Sequence, residues 1–302
     1  MKAVTFTEYG DPEVLHVADV EEPHPGPGQI RVAVRAAGVN PVDWKVRSGM
    51  LAQAMPIELP AIPGSDVAGV VDEIGDGVTD VAAGDEVFGF AMGGAAAEHA
   101  LLEHYAAKPA GLDWAEAAGL PVAVETAVRV LDLLGVTSGQ TVLVNGAAGG
   151  VGSAAVQFAR ARGARVIGTA SEANHEFLSG LGAEPTTYGA GLVDRVREIA
   201  PDGVDRALDT AGRGALPELI ELTGSPDKVV TIADFSAAEH GVRISSGADD
   251  RAWDALAQAA ELHEAGRFSL PVERTFPFED APEAHRLSEA GHVRGKLVLT
   301  LD

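Results

Sequence analysis

The sequence predicts an α/β protein in which a doubly wound parallel sheet is joined to a β-rich module. Two patterns lead to this prediction. Up to about residue 113, short strand-like runs alternate with turns rich in proline and glycine, which is typical of a β-rich module. From Trp114 onward, helical and strand-like runs alternate, which is typical of parallel strands joined by crossover helices.

The individual elements follow in chain order. Aliphatic runs predict strands at 30–35 and 67–74, and a turn at 84–89 leads into a further strand. An alanine-rich helix is predicted over 115–134, strands at 204–208 and 228–232, and a helix from about 249 to 265. Residues 279–282 indicate a helix start, and 296–301 a closing strand. The short β-prone segment 242–246 is our candidate for an edge strand.

Composition and charge exclude several classes of function. The formal net charge of −23 argues against nucleic acid or an anionic membrane as a partner, because both require basic patches. The absence of cysteine excludes disulfides, thiolate catalysis and cysteine-ligated zinc. No apolar run approaches the length of a membrane span, and the N-terminus lacks a signal-peptide apolar region. We therefore expect a soluble cytoplasmic protein that acts on a small molecule.

Residues 141–171 contain a strand, a glycine-rich turn, a helix and a second strand in succession. The turn reads Gly146-Ala-Ala-Gly-Gly-Val-Gly152. A glycine-rich turn at the start of a helix lets the backbone approach a pyrophosphate and offers it free N–H groups. This order predicts a Rossmann dinucleotide-binding unit, with Ala148, Gly149, Gly150 and Val151 against the cofactor. Ala147 departs from the usual pattern, because a glycine commonly occupies that position.

The residues after the second strand indicate which dinucleotide is bound. An NAD site commonly has an acidic residue there, and that carboxylate would repel the 2′-phosphate of NADP. Here Ser171 follows the strand, and its hydroxyl can donate a hydrogen bond to phosphate. The sequence therefore favours NADPH as the cofactor. Glu172 follows immediately, and NADH is the alternative if its carboxylate faces the ribose.

Seven segments in order resemble the medium-chain dehydrogenase/reductase superfamily, and within it the zinc-free, zeta-crystallin-like quinone oxidoreductases. They are residues 38–43, 63–69, 84–89, 118–126, 174–183, 209–212 and 295–299, and the similarity extends from end to end. The resemblance implies a discontinuous GroES-like catalytic domain, 1–114 with 266–302, around a Rossmann domain at 115–265. It also implies an active site in the cleft of the two domains and a homodimer formed through the Rossmann-domain edge strand.

The residues argue against a zinc enzyme. Where the zinc-using relatives have cysteine and histidine, this chain has Asn40 and Ser65. Neither side chain is a good zinc ligand. We therefore expect zinc-independent chemistry, with no metal bound.

The acceptor site is predicted at Asn40, Asp43 and Trp44, which the resemblance places on a loop at the cleft. The Asn40 amide could donate a hydrogen bond to the acceptor as negative charge develops on its oxygen. The alternative is that Asn40 is simply a turn residue before Pro41. Asp43 is expected to order this loop. Trp44 either lines the acceptor pocket or only packs against other side chains of the protein.

The resemblance also implies cofactor contacts outside the glycine-rich turn. It places Thr126 against the nicotinamide, Tyr188 against the adenosine phosphate end and Lys296 against the pyrophosphate. Residues 232–235, which include Ala233 and Phe235, end a central strand, where backbone groups could hold the nicotinamide carboxamide. Three of these residues could instead have a purely structural role. Thr126 could bond to its own helical turn, Tyr188 could be a strand-end aromatic and Lys296 could be solvated.

Together these features predict an NADPH-dependent reductase of quinones or other α,β-unsaturated carbonyl compounds. Hydride would pass directly to the acceptor, and solvent or a bound water would supply the proton. Two alternatives remain open. One is an enone, alkenal or enoyl-thioester double-bond reductase, and the other is a non-catalytic NADPH-binding sensor or structural protein.

Overall fold

The computed structural model describes residues 1–247 and 251–301, and these form two compact units. Unit 1 comprises Met1–Val122, Leu256–Gly266 and Leu270–Asp302, and unit 2 comprises Ala123–Ala255 and Arg267–Ser269, in their described parts. Within these residues, no helix is long and apolar enough to cross a membrane.

Unit 1 is the β-rich part of the chain. Its strands are β1 (Lys2–Thr5), β2 (His16–Asp19), β3 (Ile30–Val39), β4 (Asp66–Ile74), β5 (Glu86–Met92), β6 (His99–Ala107), β13 (Val272–Pro277) and β14 (Lys296–Thr300). Its helices are α1 (Pro41–Arg47), α2 (Trp114–Ala118), α8 (Ala255–Glu264, whose first residue belongs to unit 2) and α9 (Ala281–Ala290).

The main sheet of unit 1 is a partly closed barrel. Its six strands have the order β13-β14-β3-β4-β5-β6, and β3 also pairs with β6, so four of the strands form a closed ring. The pair β13–β14 is parallel and the other pairs are antiparallel. The C-terminal strand β14 pairs with β3, so the tail of the chain completes the N-terminal module. The buried core here includes Val32, Val67, Leu102 and Leu297.

Unit 2 contains the alternating elements. Its strands are β7 (Thr141–Asn145), β8 (Arg165–Thr169), β9 (Glu184–Thr186), β10 (Arg206–Asp209), β11 (Val229–Thr231) and β12 (Arg243–Ile244). Its helices are α3 (Pro121–Leu133, which begins in unit 1), α4 (Gly150–Ala161), α5 (His175–Gly180), α6 (Leu192–Ile199) and α7 (Leu216–Thr223).

The sheet of unit 2 is parallel throughout and has the order β12-β11-β10-β7-β8-β9. The strand order reverses at β7, which lies between β8 and β10, so the sheet is doubly wound. Ligands of such sheets bind beyond the carboxyl ends of the strands at this reversal point. The predicted fold class is confirmed. The predicted edge-strand segment forms β12 at the sheet edge.

Two helical predictions require correction. The single helix predicted over 115–134 is two helices, because Pro121 has no N–H to donate and disfavours helical geometry in the residue before it. The predicted loop after β3 is instead helix α1, for which Pro41 provides a suitable first position. Asp43 and Trp44 therefore lie on a helix, and Asn40 is its N-cap. The predicted helix start at residue 249 lies outside the described residues, and α8 begins at Ala255.

Candidate active site

The residues predicted to form the site are divided between the two units. Asn40, Asp43, Trp44 and Lys296 belong to unit 1, and Thr126, Ala148, Gly149, Gly150, Val151, Ser171, Tyr188, Ala233 and Phe235 belong to unit 2.

In unit 2, the glycine-rich turn joins β7 to α4 in the geometry that an anion requires. Gly146 adopts a φ of 80°, in the left-handed region that favours glycine. Gly149 is the N-cap of α4, so the first N–H groups of this helix have no partner within it. These groups belong to the predicted residues Gly150 and Val151 and their neighbours. They form the positive end of the helix dipole, where a pyrophosphate is stabilised.

Glycine is present at two positions of this turn for different structural reasons. A Cβ on Gly152 would overlap the Gly146 carbonyl oxygen and lie 2.7 Å from the Ala147 Cα, so only glycine fits there. A Cβ on Gly149 would meet only the Gly146 oxygen, at an ordinary 3.6 Å. The protein's own packing therefore does not require glycine at 149. The open space beside Gly149 leaves room for a phosphate close to the backbone, so the turn fits the pyrophosphate of a dinucleotide.

The residues predicted to contact the adenosine end emerge from adjacent strands β8 and β9. Ser171 is partly buried and its hydroxyl accepts a hydrogen bond from the Asn174 amide at 3.2 Å, whereas Glu172 is exposed. Tyr188 lies in the loop after β9 and is 53% exposed. The sequence analysis missed Arg195. Its guanidinium donates to the Thr187 and Ala190 carbonyl oxygens at 2.8 Å and thereby holds the Tyr188 loop.

Thr126 is buried on α3 beside an ion pair. Its hydroxyl donates to Glu125 at 3.4 Å and accepts from Arg129 at 3.3 Å. Glu125 and Arg129 are themselves paired at 2.7 Å, one helical turn apart. Arg129 also donates to Ser245, in the segment after β12. Both partners of the Thr126 hydroxyl are side chains of its own helix, so the predicted contact with the nicotinamide stays a prediction.

In unit 1, the structure brings together two residues that the sequence analysis treated separately. Lys296 on β14 donates from its ammonium to Asn40 Oδ1 and to Asp66 Oδ2, the latter at 3.2 Å. The Asn40 amide nitrogen donates to the same carboxylate oxygen of Asp66 at 2.8 Å, and the Val122 N–H donates to the other at 2.8 Å. Asn40, Asp66 and Lys296 are all at most 4% exposed.

This cluster determines what Asn40 can do chemically. The Lys296 ammonium binds the amide oxygen, which strengthens the amide N–H groups as donors. Asp66 accepts one of the two amide protons, so the other is available to an oxygen that is gaining negative charge. The predicted contact of Lys296 with a pyrophosphate stays a prediction, because the ammonium is engaged with Asn40 and Asp66 in the structure.

Asp43 is the second unusual acid of unit 1. Its carboxylate accepts the Asn40 backbone N–H at 2.7 Å, so it orders the start of α1 as expected. Burial, reinforced by the nearby Asp66 charge, raises the pKa of Asp43 to about 7, while the Asn40 hydrogen bond opposes this rise. Trp44, which follows it on α1, is partly buried, and its indole nitrogen has no hydrogen-bond partner within the described residues.

We expect Asp43 to make stability fall as pH rises from about 4 to 7. In this range the folded protein retains a proton on Asp43 that the unfolded chain, with a pKa of 3.8, has released. Asp43→Asn removes this effect, so the variant should gain on the order of 2 kcal/mol relative to the wild type between pH 5 and pH 7. Urea unfolding at both pH values measures it.

The control is Asp11→Asn, because Asp11 is exposed. The stability of this variant should change between pH 5 and pH 7 as that of the wild type does. The assignment would be wrong if Asp43→Asn and the wild type changed equally between pH 5 and pH 7.

The Lys296 ammonium beside Asn40 disfavours a zinc ion at that position. No group of three or more histidine, aspartate or glutamate side chains converges to hold a metal ion in the part of the chain that the structure describes, and cysteine is absent from the sequence. Asn40, at the position of a zinc ligand in zinc-using relatives, binds Lys296 and Asp66 through its side chain. A neighbouring ammonium opposes a divalent cation by charge repulsion.

Two family models together match residues 26–299 of this chain. A family model described as "Alcohol dehydrogenase GroES-like domain" matches residues 26–183, and one described as "Zinc-binding dehydrogenase" matches residues 181–299. The chain is 33% identical to the quinone oxidoreductase of Rattus norvegicus, across 100% of this chain and 98% of that protein. It is also 33% identical to the NADPH-dependent alkenal/one oxidoreductase of Arabidopsis thaliana, across 99% and 79%.

A solved structure supports the same relationship. The quinone oxidoreductase from Coxiella burnetii matches with a TM-score of 0.87 and 32% identity, covering 100% of this chain and 99% of that chain. Relatives named as quinone and alkenal/one oxidoreductases identify the chain as an oxidoreductase enzyme. The chain belongs to the medium-chain dehydrogenase/reductase superfamily, among its quinone oxidoreductase-like members.

Proposed function

We propose that this protein is an NADPH-dependent, zinc-independent reductase of quinones or related α,β-unsaturated carbonyl compounds. The observation that supports it most is the turn between β7 and α4, where the space above Gly149 is needed by no part of the protein itself. The names of the relatives, a quinone oxidoreductase and an alkenal/one oxidoreductase, supply the two classes of acceptor.

NADPH supplies the hydride in this proposal, and the residues of unit 2 bind it. The α4 N-terminus would hold the pyrophosphate, and Thr126 with the loop of Ala233 and Phe235 would orient the nicotinamide. Ser171 would donate to the 2′-phosphate. The preference for NADPH over NADH draws support from Ser171, which lies just beyond the end of β8, and from the NADPH dependence in the name of the Arabidopsis relative.

The cluster of Asn40, Asp66 and Lys296 in unit 1 would stabilise the acceptor. Asn40, polarised by Lys296, would donate its free amide proton to the acceptor oxygen as the hydride arrives and negative charge builds there. Trp44 would provide apolar surface for the acceptor ring. Water would supply the proton that completes reduction. Zinc has no role in this scheme, because Asn40 and its neighbours do not form a ligand set.

The experiment is loss of NADPH absorbance, run in parallel with NADH, against 9,10-phenanthrenequinone, a benzoquinone and a simple enone. We expect turnover with NADPH and a preference over NADH of at least about tenfold, which corresponds to about 1.4 kcal/mol. A preference for NADH would mean that Glu172 contacts the ribose and that the NADPH assignment is wrong.

The same panel separates the alternative functions. Turnover of the enone alone would identify a carbon–carbon double-bond reductase, the activity class of the Arabidopsis relative's name. Tight NADPH binding without turnover of any acceptor would favour a non-catalytic sensor or structural protein, because the fold alone does not determine function.

A homodimer formed through β12 is part of the proposal. Ile244 on this edge strand is 42% exposed, and an unpaired strand edge is a ready partner for a second copy. The cytoplasmic location stays a prediction.

A further inference from the structure

Four neighbouring strands of unit 2 end in buried polar side chains. They are Thr169 on β8, Asn145 on β7, Asp209 on β10 and Thr231 on β11, and none is more than 4% exposed. The strand register places them directly opposite one another, because Asn145 pairs with Thr169 and Asp209 pairs with both Asn145 and Thr231. The four residues therefore form one row across the carboxyl edge of the sheet, which we call the strand-end row.

Side-chain hydrogen bonds join the row without interruption. The Thr169 hydroxyl donates to Asn145 Oδ1 at 2.6 Å, and Asn145 Nδ2 donates to Asp209 Oδ1 at 2.9 Å. From the other end, the Thr231 hydroxyl donates to Asp209 Oδ2 at 2.8 Å. All the bonds point toward the Asp209 carboxylate, which makes it the electrostatic centre of the row.

The two ends of the row hold the backbone of two different loops. At one end, the Thr169 hydroxyl oxygen accepts the Gly146 N–H at 3.1 Å, in the glycine-rich turn. At the other end, the Thr231 hydroxyl oxygen accepts the Ala233 and Asp234 N–H groups at 3.1 and 3.0 Å. Each threonine thus uses its hydroxyl both as donor and as acceptor.

Asp209 also fixes the turn that follows its own strand. Its Oδ1 atom accepts the Ala211 and Gly212 N–H groups at 3.1 and 2.9 Å. No ion pair reaches Asp209 in residues 1–247 and 251–301, so only hydrogen bonds stabilise this buried carboxylate. A buried charge is costly when a hydrogen-bond partner is removed, and the remaining partners then rearrange.

We propose that the strand-end row couples the pyrophosphate-binding turn to the nicotinamide-side loop, with Asp209 and Thr231 as positioning residues. The inference rests on the proposed function for the ligand, and on the hydrogen bonds above for the coupling. Loss of the Thr231 hydroxyl removes a donor from Asp209, and the disturbance reaches Gly146 through Asn145 and Thr169. The two ends of a bound dinucleotide are therefore not recognised independently.

The test compares two probes on Thr231→Val: NADPH and 2′-phospho-ADP-ribose, which lacks the nicotinamide. Coupling predicts that Thr231→Val lowers the affinity for both probes, each by about tenfold. Thr231→Ser, which keeps the hydroxyl, should restore both. Thr223→Val is the matched control, since Thr223 is also buried in unit 2, at 4% exposed, but donates to a carbonyl of its own helix, Leu219 O, at 2.9 Å. It should leave both affinities unchanged.

A second readout needs no cofactor. In the unliganded protein, Thr231→Val should speed hydrogen exchange at the Gly146 amide, which follows a strand two positions away in the sheet, and Thr223→Val should not. If Thr231→Val does not fold, Thr169→Val replaces it, and faster exchange is then expected at the Ala233 and Asp234 amides. Either result would support transmission along the row.

The coupling would be overturned if Thr231→Val weakened the binding of NADPH but not of 2′-phospho-ADP-ribose. It would also be overturned if hydrogen exchange at the Gly146 amide were the same in Thr231→Val as in the wild type. A wild type that binds neither probe would instead overturn the proposed function. The exchange measurement would then still decide whether the row transmits a disturbance.

Discussion

Asp66→Asn is expected to cost about 3–5 kcal/mol of unfolding free energy, the usual penalty for breaking a buried ion pair from one side. Asp66 is fully buried and is paired with the Lys296 ammonium, which is 4% exposed. Without the carboxylate, the cation stays buried with only amide oxygens nearby. Urea unfolding followed by circular dichroism measures the loss.

The double variant Asp66→Asn/Lys296→Met is the informative comparison. Because it removes the stranded charge as well, it should be more stable than Asp66→Asn alone. Asp19→Asn is the surface control, since its ion pair with Lys2 is largely exposed, and it should cost far less stability than Asp66→Asn. An Asp66→Asn variant as stable as this control would contradict the cluster as described.

Gly152→Ala and Gly149→Ala are expected to separate folding from cofactor binding. A Cβ on Gly152 overlaps the Gly146 carbonyl oxygen, so the turn must move, and we expect a loss of about 1–3 kcal/mol in stability together with loss of NADPH binding. A Cβ on Gly149 meets only one atom, at 3.6 Å, so the stability of Gly149→Ala should stay within about 0.5 kcal/mol of the wild type.

Gly149→Ala should nevertheless weaken NADPH, because the methyl group occupies the space that the phosphate requires. Unfolding midpoints and NADPH fluorescence titrations of both variants provide the comparison. Unchanged NADPH affinity in Gly149→Ala would mean that the pyrophosphate lies elsewhere.

Local patterns were enough to predict much of the fold, because each signal acts over a few residues. The order of strand, glycine-rich turn and helix at 141–161 leaves little freedom, and β7 and α4 lie where that pattern predicts. The errors also have local causes. The prediction places Asn40 and Asp43 on a loop, although Pro41 at the first helical position is a good start for α1.

The side-chain partners could not be predicted in the same way. Lys296 meets Asn40 only because β14 pairs with β3, and this pairing joins residues more than 250 positions apart. The role of Asp66 was missed, although an acidic residue directly before the aliphatic run of β4 was the signal that could have revealed it. The strand-end row depends on strand order and register, and neither can be derived from a single sequence.

The central claim is direct transfer of hydride from C4 of bound NADPH to the acceptor. Single-turnover oxidation of NADPH and of NADPH with both C4 hydrogens replaced by deuterium, with the best acceptor of the panel, tests it most directly. The account predicts that enzyme-bound NADPH is oxidised and that deuterium slows the reaction severalfold. Bound NADPH that is not oxidised by any acceptor of the panel, or oxidation at equal rates with both isotopes, would contradict it.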